Sequence, residues 1–265
     1  DSPSRDPPPR CYANTRTFAL DTIVNFVDDP EPDEKVMWMN APGGHGKSAI
    51  MQTFVETLRA SGYANRVAGA FFFRHDKEGH DIVRCFLPTI LYQIAHNIPG
   101  MYKHINEAIE SDPTLLSKPI ENQLIPLLVD PFRHYSPSAT HTPTVFIDGL
   151  NECDISAQQS VLKMIADALT VHQVPLRFVI ASRAETHLDE YFKKGPLQSV
   201  THIFSLDDDF DGMWTYYRDG FDRIYASRTN EMSEVPTPWP SNEIIEDLIR
   251  RASGQYLFAC TILRF

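Results

Sequence analysis

The stretch APGGHGKSAI, residues 41–50, places three glycines within four positions and follows them with a lysine and a serine. Glycine loses more conformational freedom on folding than any other residue, so this concentration of glycine must serve a purpose. The apolar run KVMWM before it predicts a buried strand, and the amphipathic run SAIMQTFVETLRAS after it predicts a helix. A glycine-rich loop between a strand and a helix is the context that a phosphate-binding loop requires.

In such a loop, consecutive backbone N–H groups surround the phosphates, and the helix N-terminus adds its dipole. We expect Lys47 to reach the β- and γ-phosphates and the Ser48 hydroxyl to bind Mg²⁺. Ala41 stands where the glycine form of the pattern begins, and alanine is its mildest replacement. The alternative is a glycine-rich turn before a capped helix. The residues expected to bind the cofactor are Gly43, Gly44, His45, Gly46, Lys47, Ser48 and Ala49.

A second candidate element is TVFIDGLNEC, residues 144–153, in which an apolar strand ends in Asp148. A carboxylate at that place can hold Mg²⁺ beside the loop, as a Walker B aspartate does. Glu152, four residues later, could act as general base toward an attacking water. Strands often end in acidic turns, which is the alternative interpretation of this segment.

A third candidate is Arg183 in FVIASRAE, residues 178–185, which follows the next predicted strand. Parallel sheets bind ligands at the carboxyl ends of their strands, so this arginine could contact the γ-phosphate. The alternative is a surface arginine at the end of a strand. The predicted catalytic residues are therefore Glu152, Asp148 and Arg183, and the predicted metal ligands are Ser48 and Asp148.

Strands alternate with helices up to about residue 205, which predicts an α/β fold with a central, mostly parallel sheet covered on both faces. We divide the chain into an extended lead-in with a first helix (1–35), a P-loop NTPase core (36–205) and the start of a C-terminal helical subdomain (206–265). Pro88 predicts a kink or break in the amphipathic segment around it. Ser241 is expected to cap a helix whose apolar face includes Ile244.

Composition restricts the class of protein. The 265 residues carry a formal net charge of -11, and an acidic chain is a poor candidate for sequence-independent nucleic-acid binding. The four cysteines lie far apart, which favours a reducing, cytoplasmic compartment. The apolar runs are too short to span a bilayer. The chain starts at Asp1 without Met, so we expect a piece of a longer protein.

Together these residues resemble the NACHT class of STAND signal-transduction NTPases, and in particular its fungal group with a nephrocystin-3-like N-terminal module. The likeness covers nearly the whole chain. The matching segments are RDPPPRC and NTR, WMNAPGGHGKSAI, FFFRHD, FLPTILYQIA, VFIDGLNEC, RFVIASRAE and WPSNEIIEDLIRRASGQYLFACTILRF. The combination is far more specific than any single motif.

The resemblance implies nucleotide and Mg²⁺ roles for Lys47 and Ser48, the Walker B role for Asp148 and a sensor role for Arg183. Asn151 departs from the Asp-Gly-Leu-Asp-Glu form of the group and removes one negative charge, which would affect hydrolysis more than binding. Tyr256 stands where related ATPases have a proline that contacts adenine. The choice between ATP and GTP stays open.

The function that follows is a nucleotide-dependent regulatory switch with slow NTP hydrolysis, within a multidomain signalling protein of the NLR kind, such as one for fungal non-self recognition. Its partners would be flanking effector and repeat domains of the same chain, and a homo-oligomer on activation. One alternative is a nucleotide-bound oligomerisation scaffold that does not hydrolyse. Another is a small-molecule kinase, which would need an arginine-rich lid segment that the sequence does not show.

Overall fold

The computed structural model describes residues 7–30, 33–63, 66–73, 79–135, 142–206, 209–228 and 230–264, with the backbone alone for residues 79–83. The first six residues of the predicted lead-in therefore lie outside the described part of the chain.

Within those residues, five strands form one sheet in which every neighbouring pair is parallel. The strands are β1 (Val36–Asn40), β2 (Val67–Phe72), β3 (Thr144–Asp148), β4 (Arg177–Ser182) and β5 (Thr201–Ser205). Their spatial order is β2-β3-β4-β1-β5, so β4 lies between β1 and β3. All five carboxyl ends meet at one edge of the sheet, and the predicted α/β fold with a central parallel sheet is confirmed.

Helices connect and cover the strands. They are α1 (Thr17–Asp28), α2 (Lys47–Ala60), α3 (Gly79–Asn97), α4 (Met101–Ser111), α5 (Ile120–Leu124), α6 (Asp130–Arg133), α7 (Ile155–Ala166), α8 (Thr186–Lys193), α9 (Phe210–Ser227), α10 (Asn242–Ala252) and α11 (Tyr256–Ile262). A π-helical turn over Ile125–Val129 joins α5 to α6, and another over Asp167–Val171 extends α7. None of the described helices is long and apolar enough to cross a bilayer.

The sheet buries both of its faces, as a parallel sheet must. Successive side chains of a strand point to opposite faces, so Met37 and Met39 of β1 pack toward α1 and α2. Val36 and Trp38 point the other way, into a larger core that includes residues of α3 through α8. The indole N–H of Trp38 donates to Ser182 Oγ at 2.8 Å, which ties β1 to β4. These contacts hold rigid the strand ends that carry the candidate site.

The helices α9, α10 and α11, called the C-terminal helices below, pack against one another around a separate apolar cluster. Its buried members are Met213, Tyr217, Phe221, Ile245, Ile249, Ala252 and Ala259. Ser241 occupies the N-cap position of α10 as predicted but makes no capping bond to the backbone. Its hydroxyl instead bonds to the Glu243 carboxylate and lowers the pKa of that group. Ile244 is 52% exposed, so its assignment to the apolar face of α10 is wrong.

The expected break at Pro88 does not occur, because α3 continues through it from Gly79 to Asn97, and the alternative of a kink stays a prediction. A proline inside a helix costs about 3 kcal/mol, since it removes one hydrogen bond and crowds the preceding turn. Leu87, Ile90 and Ile94 of the same helix are buried in the larger core. Each fully buried aliphatic side chain contributes roughly 1.5–3 kcal/mol, so several of them outweigh the local penalty.

Candidate functional site

The loop from Ala41 to Gly46 joins β1 to α2 at the carboxyl edge of the sheet. Gly44 and Gly46 both have φ of 83°, in the left-handed region that side chains rarely adopt. A Cβ at Gly44 would in addition lie 3.2 Å from the Cβ of Leu257. The backbone conformation therefore requires glycine at these two positions, which accounts for their density in the sequence.

The loop ends at the N-terminus of α2, where Gly46 is the N-cap and no side chain caps the helix. The first N–H groups of a helix lack intrahelical partners and carry the positive end of its dipole. Ser48 and Ala49 lie in this first turn. The arrangement favours an anion directly above the loop.

Lys47 lies back along the loop, and its Nζ donates to the carbonyls of Ala41 at 2.6 Å and Pro42 at 2.9 Å. Burial lowers the pKa of the Lys47 ammonium to about 8. The Asp148 and Glu152 carboxylates act in the opposite direction on this pKa, whereas the Arg183 guanidinium lowers it further. Four of the predicted site residues thus come within electrostatic range of one another, although they are far apart in the sequence.

Asp148 is the last residue of β3, is 4% exposed, and pairs in register with Phe72 and Ala181 of the neighbouring strands. Its carbonyl accepts from the Phe73 N–H at 2.8 Å. The chain then turns through a 3₁₀ helix, Leu150–Glu152, and the Glu152 N–H donates to the Gly149 carbonyl at 2.7 Å. Both predicted carboxylates therefore stand at the same edge of the sheet as the loop.

Arg183 follows the last residue of β4, the strand next to β1. Its guanidinium lies against the loop, because a Cβ at Gly43 would be 3.4 Å from Arg183 Nη2. Arg183 is an exposed residue at the end of a strand, and its guanidinium lies beside the glycine loop, so its contact with the γ-phosphate stays a prediction. The Arg183 backbone N–H donates to Asn151 Oδ1 at 2.9 Å, which joins this segment to the turn after β3.

Three features of the loop were not predicted from the sequence. The buried Arg16 donates from Nη2 to the His45 carbonyl at 2.7 Å and to the Gly254 carbonyl at 3.1 Å. The Leu257 N–H donates to the Gly44 carbonyl at 3.1 Å. The His45 ring is buried, with Nδ1 3.3 Å from the Gly43 carbonyl, although only its backbone was expected to matter. The sequence offered a signal for Arg16 alone, since the segment NTR that contains it lies directly before α1.

The groups at the carboxyl edge of the sheet can bind the phosphates of a nucleotide together with a magnesium ion. Lys47, Arg183 and the helix N-terminus supply positive charge for phosphate oxygens. No cluster of three or more His, Cys, Asp or Glu in the described ranges could hold a metal alone. Mg²⁺ in nucleotide sites needs only one or two protein ligands beside water and phosphate, and Asp148 and Ser48 offer that chemistry.

A search of curated proteins finds no match to this chain. Among solved structures, the chain resembles "Structure of Drosophila ORC bound to DNA" with a TM-score of 0.47 and 16% sequence identity. That match covers 94% of this chain and 54% of the other, so this chain spans about half of that chain's length. The family model described as "Nephrocystin 3, N-terminal" matches residues 17–183, well over half of the chain. The matched region runs from the start of α1 through the glycine loop and Asp148 to Arg183, and the protein therefore belongs to the nephrocystin 3 N-terminal family.

Proposed function

We propose that this protein is a nucleotide-binding NTPase module that acts as a regulatory switch with slow hydrolysis. The nucleotide is ATP or GTP with Mg²⁺, bound by the core over residues 36–205. The observation that carries the proposal is the convergence of Lys47, Asp148 and Arg183 on a loop whose Gly44 and Gly46 are held in the left-handed conformation. A capped structural turn would need neither the partly buried Lys47 ammonium nor the Arg183 guanidinium against the loop.

Each predicted site residue has a role in this proposal. The backbone N–H groups of the loop surround the phosphates, and Lys47 and Arg183 neutralise their charge. Ser48 and Asp148 hold Mg²⁺. Glu152 stands one short turn beyond Asp148 and would accept the proton of the water that attacks the γ-phosphate. Phosphoryl transfer needs little beyond this positioning and charge stabilisation.

The regulatory part of the proposal concerns the C-terminal helices, within residues 206–265. Nucleotide can bias a conformational equilibrium only through contacts that differ between the two states. The N-terminus of α11 contacts the loop itself, through Leu257 and Gly44, so movement of these helices would change the phosphate site. In a longer chain, effector and repeat domains attached to the two ends, and a homo-oligomer on activation, would respond to that movement.

The proposal is tested by the effect of nucleotide on thermal unfolding. Ligand at a hundred times its Kd stabilises a protein by about 2.7 kcal/mol. For a domain near this size, that corresponds to a rise in Tm of roughly 5–10 °C. ATP–Mg²⁺, GTP–Mg²⁺ or ADP should give this rise with the wild-type protein and none with Lys47→Ala. A folded wild-type sample that shows no shift with any of them would overturn the proposal.

A further inference from the structure

We propose that Arg16 and the backbone N–H of Leu257 are positioning groups for the phosphate-binding loop. Through them, the binding of a phosphate chain and the docking of the C-terminal helices stabilise each other. The inference rests on the proposed function, because it concerns the same loop. It adds two groups from outside the core that determine where the N–H groups of the loop point.

The contacts act on two successive peptide units. The Gly44 carbonyl accepts from the Leu257 N–H at 3.1 Å, and the His45 carbonyl accepts from Arg16 Nη2 at 2.7 Å. A trans peptide unit is planar, with its N–H and C=O pointing in opposite directions. The N–H groups of His45 and Gly46 are therefore directed away from Leu257 and Arg16. These are two of the donors that the proposed site offers to phosphate.

Such external support is needed because glycine leaves the loop with many accessible conformations. Gly44 and Gly46 lie on either side of His45, and each is already in the left-handed region. Without partners for the two carbonyls, rotation at the glycines would reorient both peptide units at small cost. A preorganised site avoids the entropy that would otherwise be lost when the ligand binds.

Arg16 is itself held firmly in place. Its side chain is 4% exposed, and its guanidinium carbon lies 4.7 Å from the centre of the Tyr256 ring. The Asp209 carboxylate accepts from the Arg16 backbone N–H at 2.9 Å and from the Tyr256 hydroxyl at 2.7 Å. Arg16 thus joins the segment before α1 to the loop and to the C-terminal helices. Nη2 alone donates to both the His45 and the Gly254 carbonyls. The planar guanidinium fixes the directions of its two N–H groups, whereas an ammonium on a flexible stem does not.

The coupling follows from the position of these contacts. Gly254 lies in the connection between α10 and α11, and Leu257 lies in the first turn of α11. Withdrawal of the C-terminal helices therefore breaks the contacts of both residues at once. Phosphates that need the His45 and Gly46 N–H groups therefore bind the docked state more tightly. By linkage, they also raise the stability of docking by the same factor.

The first experiment compares the affinities of ADP and inorganic pyrophosphate, each with Mg²⁺, by calorimetry. Pyrophosphate has no base or ribose, so it reports on the loop alone. Arg16→Lys and Arg16→Ala should each lower the affinities for ADP and for pyrophosphate by a similar factor. We expect about tenfold, within the range of 5–150-fold typical of coupled sites. Arg10→Ala is the matched control, because Arg10 lies on the same segment but bonds to the exposed Glu56 carboxylate of α2. It should leave both affinities unchanged.

The second experiment uses the wild-type protein and does not depend on the folding of a variant. Pyrophosphate or ADP should slow hydrogen exchange at the Leu257 amide, whose acceptor is the loop carbonyl of Gly44. The Ile245 amide bonds to Ser241 within the C-terminal helices and serves as the control amide, with little change expected.

The outcomes separate this inference from the proposed function. Wild-type affinity in both Arg16 variants, a loss confined to ADP, or an unchanged Leu257 amide in the ligand-bound wild type would each overturn the inference alone. If the folded wild-type protein binds neither pyrophosphate nor nucleotide, the inference and the proposed function fall together.

Discussion

The side-chain oxygen of Asn151 accepts a hydrogen bond from the backbone N–H of Arg183 at 2.9 Å. The contact joins the turn after β3 to the first residue after β4, which is possible because these strands are neighbours in the sheet. Relative to the Asp-Gly-Leu-Asp-Glu form of the resembled group, Asn151 removes one negative charge. Its position gives it a second effect, since it holds the backbone of the arginine whose guanidinium lies against Gly43.

The Asn151 contact predicts that stability depends on a side chain at position 151 that accepts the hydrogen bond of the Arg183 N–H, whether or not that side chain is an amide. Asn151→Ala should lower the free energy of unfolding by about 0.5–1.5 kcal/mol, the usual net contribution of one hydrogen bond. Asn151→Asp keeps the acceptor and should retain the stability, while its added charge changes the hydrolysis rate more than nucleotide affinity. Urea unfolding with single-turnover hydrolysis measures both effects. Equal stability of the two variants would show that the contact contributes nothing.

Glu152 is predicted to serve the chemical step alone. Glu152→Gln keeps the size of the side chain but cannot accept a proton, and general-base contributions are typically about 10²–10⁴ in rate. Single-turnover hydrolysis should fall by that order, while the equilibrium Kd for ATP stays near the wild-type value. A wild-type rate in this variant would remove Glu152 as the base and favour the non-hydrolysing scaffold.

Asp148 is predicted to act through the metal. Asp148→Asn removes the carboxylate charge at the end of β3, and should weaken nucleotide binding in the presence of Mg²⁺ as well as turnover. In EDTA, the variant and the wild type should bind nucleotide with closely similar affinity, because the difference between them is the metal contact. If the loss of affinity is equally large without Mg²⁺, Asp148 acts on the fold of the loop and not on the ion.

The lowered pKa of Lys47 predicts opposite pH effects on binding and on stability. The ammonium titrates near pH 8 in the folded protein against 10.5 in its unperturbed form. Phosphate affinity should therefore fall as the pH rises through about 8, by up to about tenfold per pH unit. Between pH 8 and 10.5 the unfolded state binds more protons than the folded state, so the free energy of unfolding should rise with pH.

These pH effects are measured by ADP–Mg²⁺ affinity and urea unfolding between pH 7 and 9.5, with Lys47→Met as the control. The control should bind weakly at every pH and lack the stability change, because it has no ammonium to titrate. If the wild type and the control change in parallel with pH, another group is responsible.

Local features of the sequence were sufficient to predict most elements of the core. The glycines before Lys47, the apolar runs that end at Asp148 and Arg183, and the helical periodicity after the loop each depend on neighbouring residues only. Hydrophobic periodicity reflects which side of an element faces the core, and a left-handed backbone requires glycine wherever it occurs. The sheet and the strand ends at its carboxyl edge could for this reason be predicted before the strands were paired.

The tertiary structure alone decided which of these elements meet. The spatial order of parallel strands is not encoded in any one segment, and the insertion of β4 between β1 and β3 is what brings Arg183 to Gly43 and Asn151. Proline disfavours the interior of a helix, but α3 stays continuous through Pro88 because the neighbouring side chains are buried in the core. Arg16 and Leu257, 241 positions apart in the numbering of the chain, reach adjacent carbonyls of the loop. Contacts over such distances depend on the packing of whole helices, because no local pattern specifies the partner of a buried arginine or of a single backbone N–H.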